Sequence, residues 1–317
     1  GVGFAPDFIW IKDRGTTYSH TLTDKVRGTS KELYTNNTNA ETSYSQGITS
    51  FDSNGFTLGT DLGINSNGGS KVSWNWKASG STASNSNGSI TSTVSANTTS
   101  GFSIVKYVGN ATSGATVGHG LGVAPKVVII KSRDSALSWR SYFAALGATK
   151  FIELNATATP VTASNFMNDT APTSTVFSLG NGTTPNKSGD NYIAYCFAEK
   201  KGFSKFGSYT GNASTNGTFI YLGFRPSFFL VKNTATTEDW MLYDNKRDPI
   251  NPLDTRLRPN RDLADTTNTD YYVDFLSNGM KLRAVNSAFN GSGNTMIYMA
   301  FAENPIVGSN NVAAVAG

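Results

Sequence analysis

One pattern occurs three times along the 317 residues, and it limits the fold more than any other feature. It opens as Gly3-Phe4-Ala5-Pro6, Gly122-Val123-Ala124-Pro125 and Gly223-Phe224-Arg225-Pro226, each followed by a short apolar run. Those runs are Phe8–Ile11, Val127–Ile130 and Phe228–Val231, and each ends in a lysine six residues after the proline: Lys12, Lys131 and Lys232. The copies also close alike, in Val72-Ser73-Trp74-Asn75-Trp76, Ile193-Ala194-Tyr195-Cys196-Phe197 and Ile297-Tyr298-Met299-Ala300-Phe301. From proline to last aromatic the copies span 70, 72 and 75 residues. A repeat of that length is a small domain rather than a rung of a solenoid.

Within a copy, the signals are those of strands. The apolar runs are rich in β-branched and aromatic residues, which suits strands covered on both faces. Asn54-Gly55 and Asn278-Gly279 lie between apolar segments, and Asn-Gly is the favoured two-residue hairpin turn because both positions need positive φ. Phe102–Tyr107 alternates, and Gly101–Asn110 has a counterpart in the stretch from Phe203 to Asn212. Copies two and three thus own a leading strand ending in Tyr-(Val/Thr)-Gly-Asn, which copy one lacks in this sequence. The expected fold class is all-β: tandem antiparallel β-sandwich domains, jelly-roll-like, built from three copies of one repeat. The expected boundaries are 1–78 for the first sandwich, 101–202 for the second and 203–306 for the third. Residues 79–100, rich in Ser, Gly, Asn and Thr, read as a flexible linker, and 307–317 as a C-terminal extension. Gly1, already at the repeat's opening, reads as an internal residue of a longer polypeptide.

Composition removes several classes. Charged residues are 15% of the chain, and hydroxyl and amide side chains keep the surface wet instead. Disorder is excluded by 12% aromatics and a net charge of only +4. That charge, without a basic run longer than Lys200-Lys201, does not point to nucleic acid. No stretch approaches the ~18 apolar residues of a membrane span, so membrane insertion is not expected. The single cysteine, Cys196, sits in an apolar strand and reads as an inert thiol.

Catalytic patterns are poor. His20 and His119 are the only histidines, and His119 lies in a glycine-rich turn, Gly118–Gly122. No Gly-x-Ser-x-Gly elbow is present. Glu238, Asp239, Asp244 and Asp248 lie close in sequence but read as solvated loop charges, not as the carboxyl pair of a glycosidase. No catalytic residue, metal ligand or cofactor is assigned. The candidates for binding are aromatic clusters after each opening strand: Tyr18 with His20 and Asp24, Trp139 with Tyr142, and Trp240 with Tyr243 and Asp244. Rings of this kind stack on sugar faces while nearby polar groups fix orientation. Their recurrence in register equally suits a place in the sandwich cores.

The series Phe8-Ile9-Trp10-Ile11-Lys12, Phe51–Gly59, Phe102–Asn110, Tyr195–Glu199 and Phe301-Ala302-Glu303-Asn304-Pro305 resembles a family found in marine bacteriophages, whose members look like tail-fibre or other virion-surface proteins. The resemblance covers the chain from Gly3 to about Asn310. It implies a place on the virion surface, outside the cell, and by analogy attachment to a host glycan or protein receptor alongside other virion proteins. A capsid-decorating role is the alternative, and a polysaccharide depolymerase a weaker one. The resemblance brings no ligand residues with it. Small sandwiches with apolar residues left over, such as Phe143 and Phe289, lead to the further expectation of a homotrimer with the copies stacked along its axis.

Overall fold

A computed structural model describes residues 2–303. It is all-β, with antiparallel strand pairing throughout the named sheets and helices of no more than four residues. The opening strands are Phe8–Asp13, Val127–Ser132 and Phe228–Asn233, each starting two residues after its proline. Each pairs on one side with a closing strand: Lys71–Trp76, Asn191–Phe197 and Thr295–Phe301. On its other side lies a second strand: Thr21–Asp24, Arg140–Phe143 and Met241–Asp244.

Alternation along the opening strand explains why the run is apolar throughout. Phe8, Trp10, Val127, Ile129, Phe228 and Leu230 point into one core, to which all three copies contribute. The residues between them point the other way, into outer cores that each copy builds for itself. Each copy is therefore a sandwich whose inner sheet faces the other two copies. The closing aromatics meet at the centre: Trp76, Phe197 and Phe301 have ring centroids 5.3 to 6.3 Å apart, all edge-to-face.

The contacts between copies repeat cyclically, which makes the molecule a three-fold built from one chain. Trp139 donates through Nε1 to the Tyr34 carbonyl at 2.8 Å, and Trp240 to the Glu153 carbonyl at 3.1 Å. His20 takes the matching place in the first copy, against the Arg258 carbonyl of the third. Glu41 bonds Arg133 through both side chain and backbone, and Asp265 does the same with Arg14. The second-to-third junction has Pro160 and Thr234 at these positions and makes no such ion pair.

Three expectations change. Residues 79–100 are not a linker: Ala83–Asn85 and Ser92–Asn97 add two strands to the second copy's inner sheet, and Ile90 and Val94 enter its outer core. Alternation of small residues was enough for pairing because the edge offered by Phe102–Val108 supplies the ladder. The copies do not stack along an axis but surround it. Phe143 and Phe289 are not left over either; they are 2% and 0% exposed within the single chain. The 307–317 extension lies outside the described residues.

Candidate functional site

The aromatic candidates separate on burial. Tyr18 is 40% exposed, whereas His20, Trp139, Tyr142, Trp240, Tyr243 and Asp244 are all buried. Trp139 and Trp240 belong to the central core, and Tyr142 and Tyr243 to the outer cores of the second and third copies. The recurrence that marked these six as a binding surface marks core positions instead. Tyr18 alone keeps a ring toward solvent.

His20 is spent on the junction. Its Nδ1 accepts from Trp10 Nε1 at 3.1 Å, so the proton sits on Nε2, and the ring stacks at 10° on Trp74. Nε2 lacks a partner of full hydrogen-bond geometry, with the Arg258 carbonyl as the acceptor acting on it. Burial holds the imidazole well below its ordinary pKa, and it stays neutral. His119 is also buried, bonded to the Thr173 carbonyl and the Leu121 amide, and burial lowers its pKa too. Burial pushes the Cys196 thiol up to about 12.

Asp244 and its counterpart Asp24 each hold an arginine three residues on, Arg247 and Arg27, and cap the turn between. Each also accepts from a neighbouring copy: Asp24 from the Tyr195 hydroxyl at 2.7 Å, Asp244 from Trp74 Nε1 at 3.2 Å. In the second copy Phe143 replaces the aspartate, and Met299 is the residue matching Tyr195 and Trp74. Polar meets polar and apolar meets apolar around the axis.

The repeated lysines have a role that their spacing hinted at and their chemistry hid. Lys12, Lys131 and Lys232 are each 0% exposed, at the end of the inner face. Lys131 donates to the carbonyls of Ser132, Ser135 and, across the junction, Thr38. Lys232 donates to Asn233 and, across the next junction, Thr157. Lys12 bonds the Asp13 and Thr16 carbonyls. Burial pulls all three ammonium groups down to about 8.

One cleft was not foreseen. It holds about 450 Å³ beside the closing strand of the first copy and is lined by Trp74, Asn75, Trp76, Lys77, Phe203, Phe301 and Glu303. A second hollow of about 440 Å³ lies around Ser73, Asn54 and Phe56. The one signal in the sequence was the missing leading strand. Among the described residues no cluster of three or more His, Cys, Asp or Glu side chains could hold a metal ion, and no helix is long and apolar enough to cross a membrane.

A family model described as a domain of unknown function, DUF7483, matches residues 1–305. The chain belongs to that family. No curated protein and no solved structure matches it. The match runs through all three copies as one unit, in keeping with a core that no single copy could close.

Proposed function

We propose that this DUF7483 chain is a non-enzymatic structural module of a bacteriophage surface, serving in a tail fibre or appendage that attaches the particle to its host. The observation carrying this reading is where the chemistry-bearing side chains go. Both histidines, the recurrent lysines and the Asp24 and Asp244 carboxylates are buried in structural bonds, and the Cys196 thiol is buried in an apolar core. What faces solvent is largely Ser, Thr, Asn and Gly, a surface whose interactions salt screens little. The resemblance to marine phage proteins supplies the location. Tyr18, beside Gly63 and close to the exposed Leu62, is the residue of the original candidate set still able to touch a glycan or protein receptor.

The three-fold common in fibres is here supplied by one chain, so a monomer of 33.8 kDa is the expected result of light scattering. The same geometry favours a second reading, a decorating protein seated on a local three-fold position of a capsid. Labelling intact particles with antibody against the chain separates the two: signal on the tail tip supports attachment, signal over the shell supports decoration. Attachment further requires that the purified chain compete with particles for adsorption to host cells, and absence of competition counts against it. Release of reducing ends from host polysaccharide would move the reading to a depolymerase.

A further inference from the structure

Glu32, Phe151 and Arg256 are one position in the three copies. Each precedes the residue that pairs with the second strand: Leu33 with Leu22, Ile152 with Ser141 and Leu257 with Leu242. In the second copy Phe151 packs edge-on against Phe166 inside the outer core, with ring centroids 5.6 Å apart. The place suits a ring. In the third copy Arg256 takes it, only 6% exposed, with its guanidinium carbon 3.2 Å from the centre of the Tyr271 ring. Such stacking occupies the face of a guanidinium. Its N–H groups lie in the plane, point sideways and still need acceptors.

Among the described residues nothing accepts from Arg256 Nε or Nη1, and both atoms are buried. Thr266 lies directly opposite Arg256 on the paired strand Thr266–Thr267, so the two side chains share a face. Its hydroxyl is also buried, and among the described residues it has no partner. The groups that could have answered are committed elsewhere. Asp239 acts on Arg256 without bonding it, and is held by Asn260 at 2.6 Å and Arg261 at 2.8 Å. The Tyr243 hydroxyl, which also acts on Arg256, donates to the Tyr271 carbonyl at 3.1 Å. Asp248 accepts the backbone amides of Asp254 and Thr255. A buried charge left without a partner is costly, and Phe151 shows that an apolar side chain fills the same place.

We propose that Arg256, Thr266 and the Tyr271 ring form an oxyanion site, in which one carboxylate or sulfate group accepts from the guanidinium edge and from the Thr266 hydroxyl. The donor set selects the ligand. Buried donors around a fixed positive charge call for a group that only accepts and carries negative charge. A metal ion is repelled there, and a neutral sugar hydroxyl leaves the charge unanswered. A planar guanidinium, held flat by the ring beneath it, matches the spacing of two oxygens on one anionic group. Tyr271, which covers one face, is only half-buried and ends the three-residue turn Thr269–Tyr271, so a small swing of that turn admits the ligand. The site stands apart from the attachment reading, because a free anion would serve it as well as one borne on a sugar.

The test follows the Arg256 Nε–H resonance of the whole chain while sodium acetate, sodium sulfate or sodium glucuronate is added, against sodium chloride at equal ionic strength. The expected result is a saturable shift in the millimolar range, with one anion per chain and no matching shift in chloride. Tighter binding of glucuronate than of acetate marks a sugar-borne carboxylate as the ligand, and equal binding marks a free anion. Thr266→Val keeps the shape, removes one donor and weakens affinity by about fivefold. Arg256→Met abolishes the binding seen by calorimetry and leaves the anion-free melting temperature unchanged or higher, since it removes an unpaired buried charge. The proposal is overturned if none of the three anions moves the resonance, if chloride moves it as much, or if Arg256→Met binds like the parent chain. Should Arg256→Met fail to fold, Thr266→Val decides, and unchanged affinity in that variant overturns the site.

Discussion

The first copy and the other two differ on one side only. Toward the axis all three supply large apolar side chains in equal register, Trp10, Ile129 and Leu230 among them. Away from it, the second and third copies own outer cores with Tyr107, Phe151, Phe166 and Phe177, or Phe229, Tyr243, Phe275 and Phe289. Among the described residues the first has only Ile9, Ile11, Ile48 and Ile64, with Phe51, Phe56 and Leu58 half-buried against them. Its closing strand turns Lys71, Ser73 and Asn75 outward where the second copy has Tyr192, Ala194 and Cys196. The difference teaches that the shared core, not the individual sandwich, is the unit of stability. An outer layer can thin when the inner one is held by two neighbours.

The sharpest way to break this comparison is at the centre. Trp76 touches Phe8, Phe197, Phe228 and Phe301 from three copies. Trp76→Ala is expected to cost about 3–5 kcal/mol, the range for large-to-small changes in a filled core. Calorimetry should show the three copies melting together in one transition. A separate, earlier transition for residues of the first copy alone would show that the sandwiches are independent after all.

Next in size is the buried lysine. Lys131→Met leaves the Thr38, Ser132 and Ser135 carbonyls without their donor in a dry junction. About 2–3 kcal/mol of destabilisation is expected in urea denaturation, as for hydrogen bonds to a charged group. Lys12→Met, whose bonds stay within its own copy, should cost less. Equal losses would mean the cross-junction bond to Thr38 adds nothing.

How much of this was legible beforehand follows from what a repeat encodes. The opening and closing strands were readable because Phe8–Ile11 and its relatives must be apolar on both faces. Why they must was not readable, since a strand covered by its own second sheet and by two neighbouring copies looks the same in one dimension. Trp139 and Trp240 illustrate the limit: a ring with one polar atom suits a sugar platform or a core with one carbonyl to satisfy, and only the placement of Tyr34 and Glu153 decides. Residues 79–100 misled for a different reason. Ser92–Asn97 is held by backbone pairing to an edge, to which Ser and Thr side chains contribute little.

The outer layer of the first copy can be probed by pH. Glu32 stands where the second copy has Phe151 in its outer core, and it is 1% exposed. Its Oε2 accepts from the Tyr34 hydroxyl at 2.9 Å, and Oε1 has no partner among the described residues. Burial pushes the carboxyl up to about 7 from an ordinary 4.5. A carboxyl raised in the folded state favours folding while protonated: its contribution is complete below about 4.5 and is lost as pH rises through about 7. Stability should therefore fall by on the order of 2 kcal/mol across that window, and Glu32→Gln should flatten the slope. A slope unchanged by Glu32→Gln would show that the first copy's outer layer is wet enough to solvate the charge.

The smallest expected effect tests whether the polar and apolar contacts around the axis are matched in pairs. Tyr195 of the second copy reaches Asp24 of the first, Trp74 of the first reaches Asp244 of the third, and Met299 of the third is placed by the same rotation toward Phe143 of the second. Tyr195→Phe keeps the ring, stacked at 19° against Trp139, and removes one donor from a carboxylate that Arg27 and two backbone amides still hold. A loss of about 1–2 kcal/mol follows, because Asp24 is fully buried and no solvent replaces the hydroxyl. Met299→Tyr should do the reverse, placing a hydroxyl against Phe143 with no acceptor provided. If the double variant Met299→Tyr with Phe143→Asp is more stable than the sum of the two single changes, as measured by urea denaturation, the pairing is a coupled property of each junction. Strict additivity would mean that Asp24 and Asp244 are held by their own arginines alone and that the neighbouring copies merely fit around them.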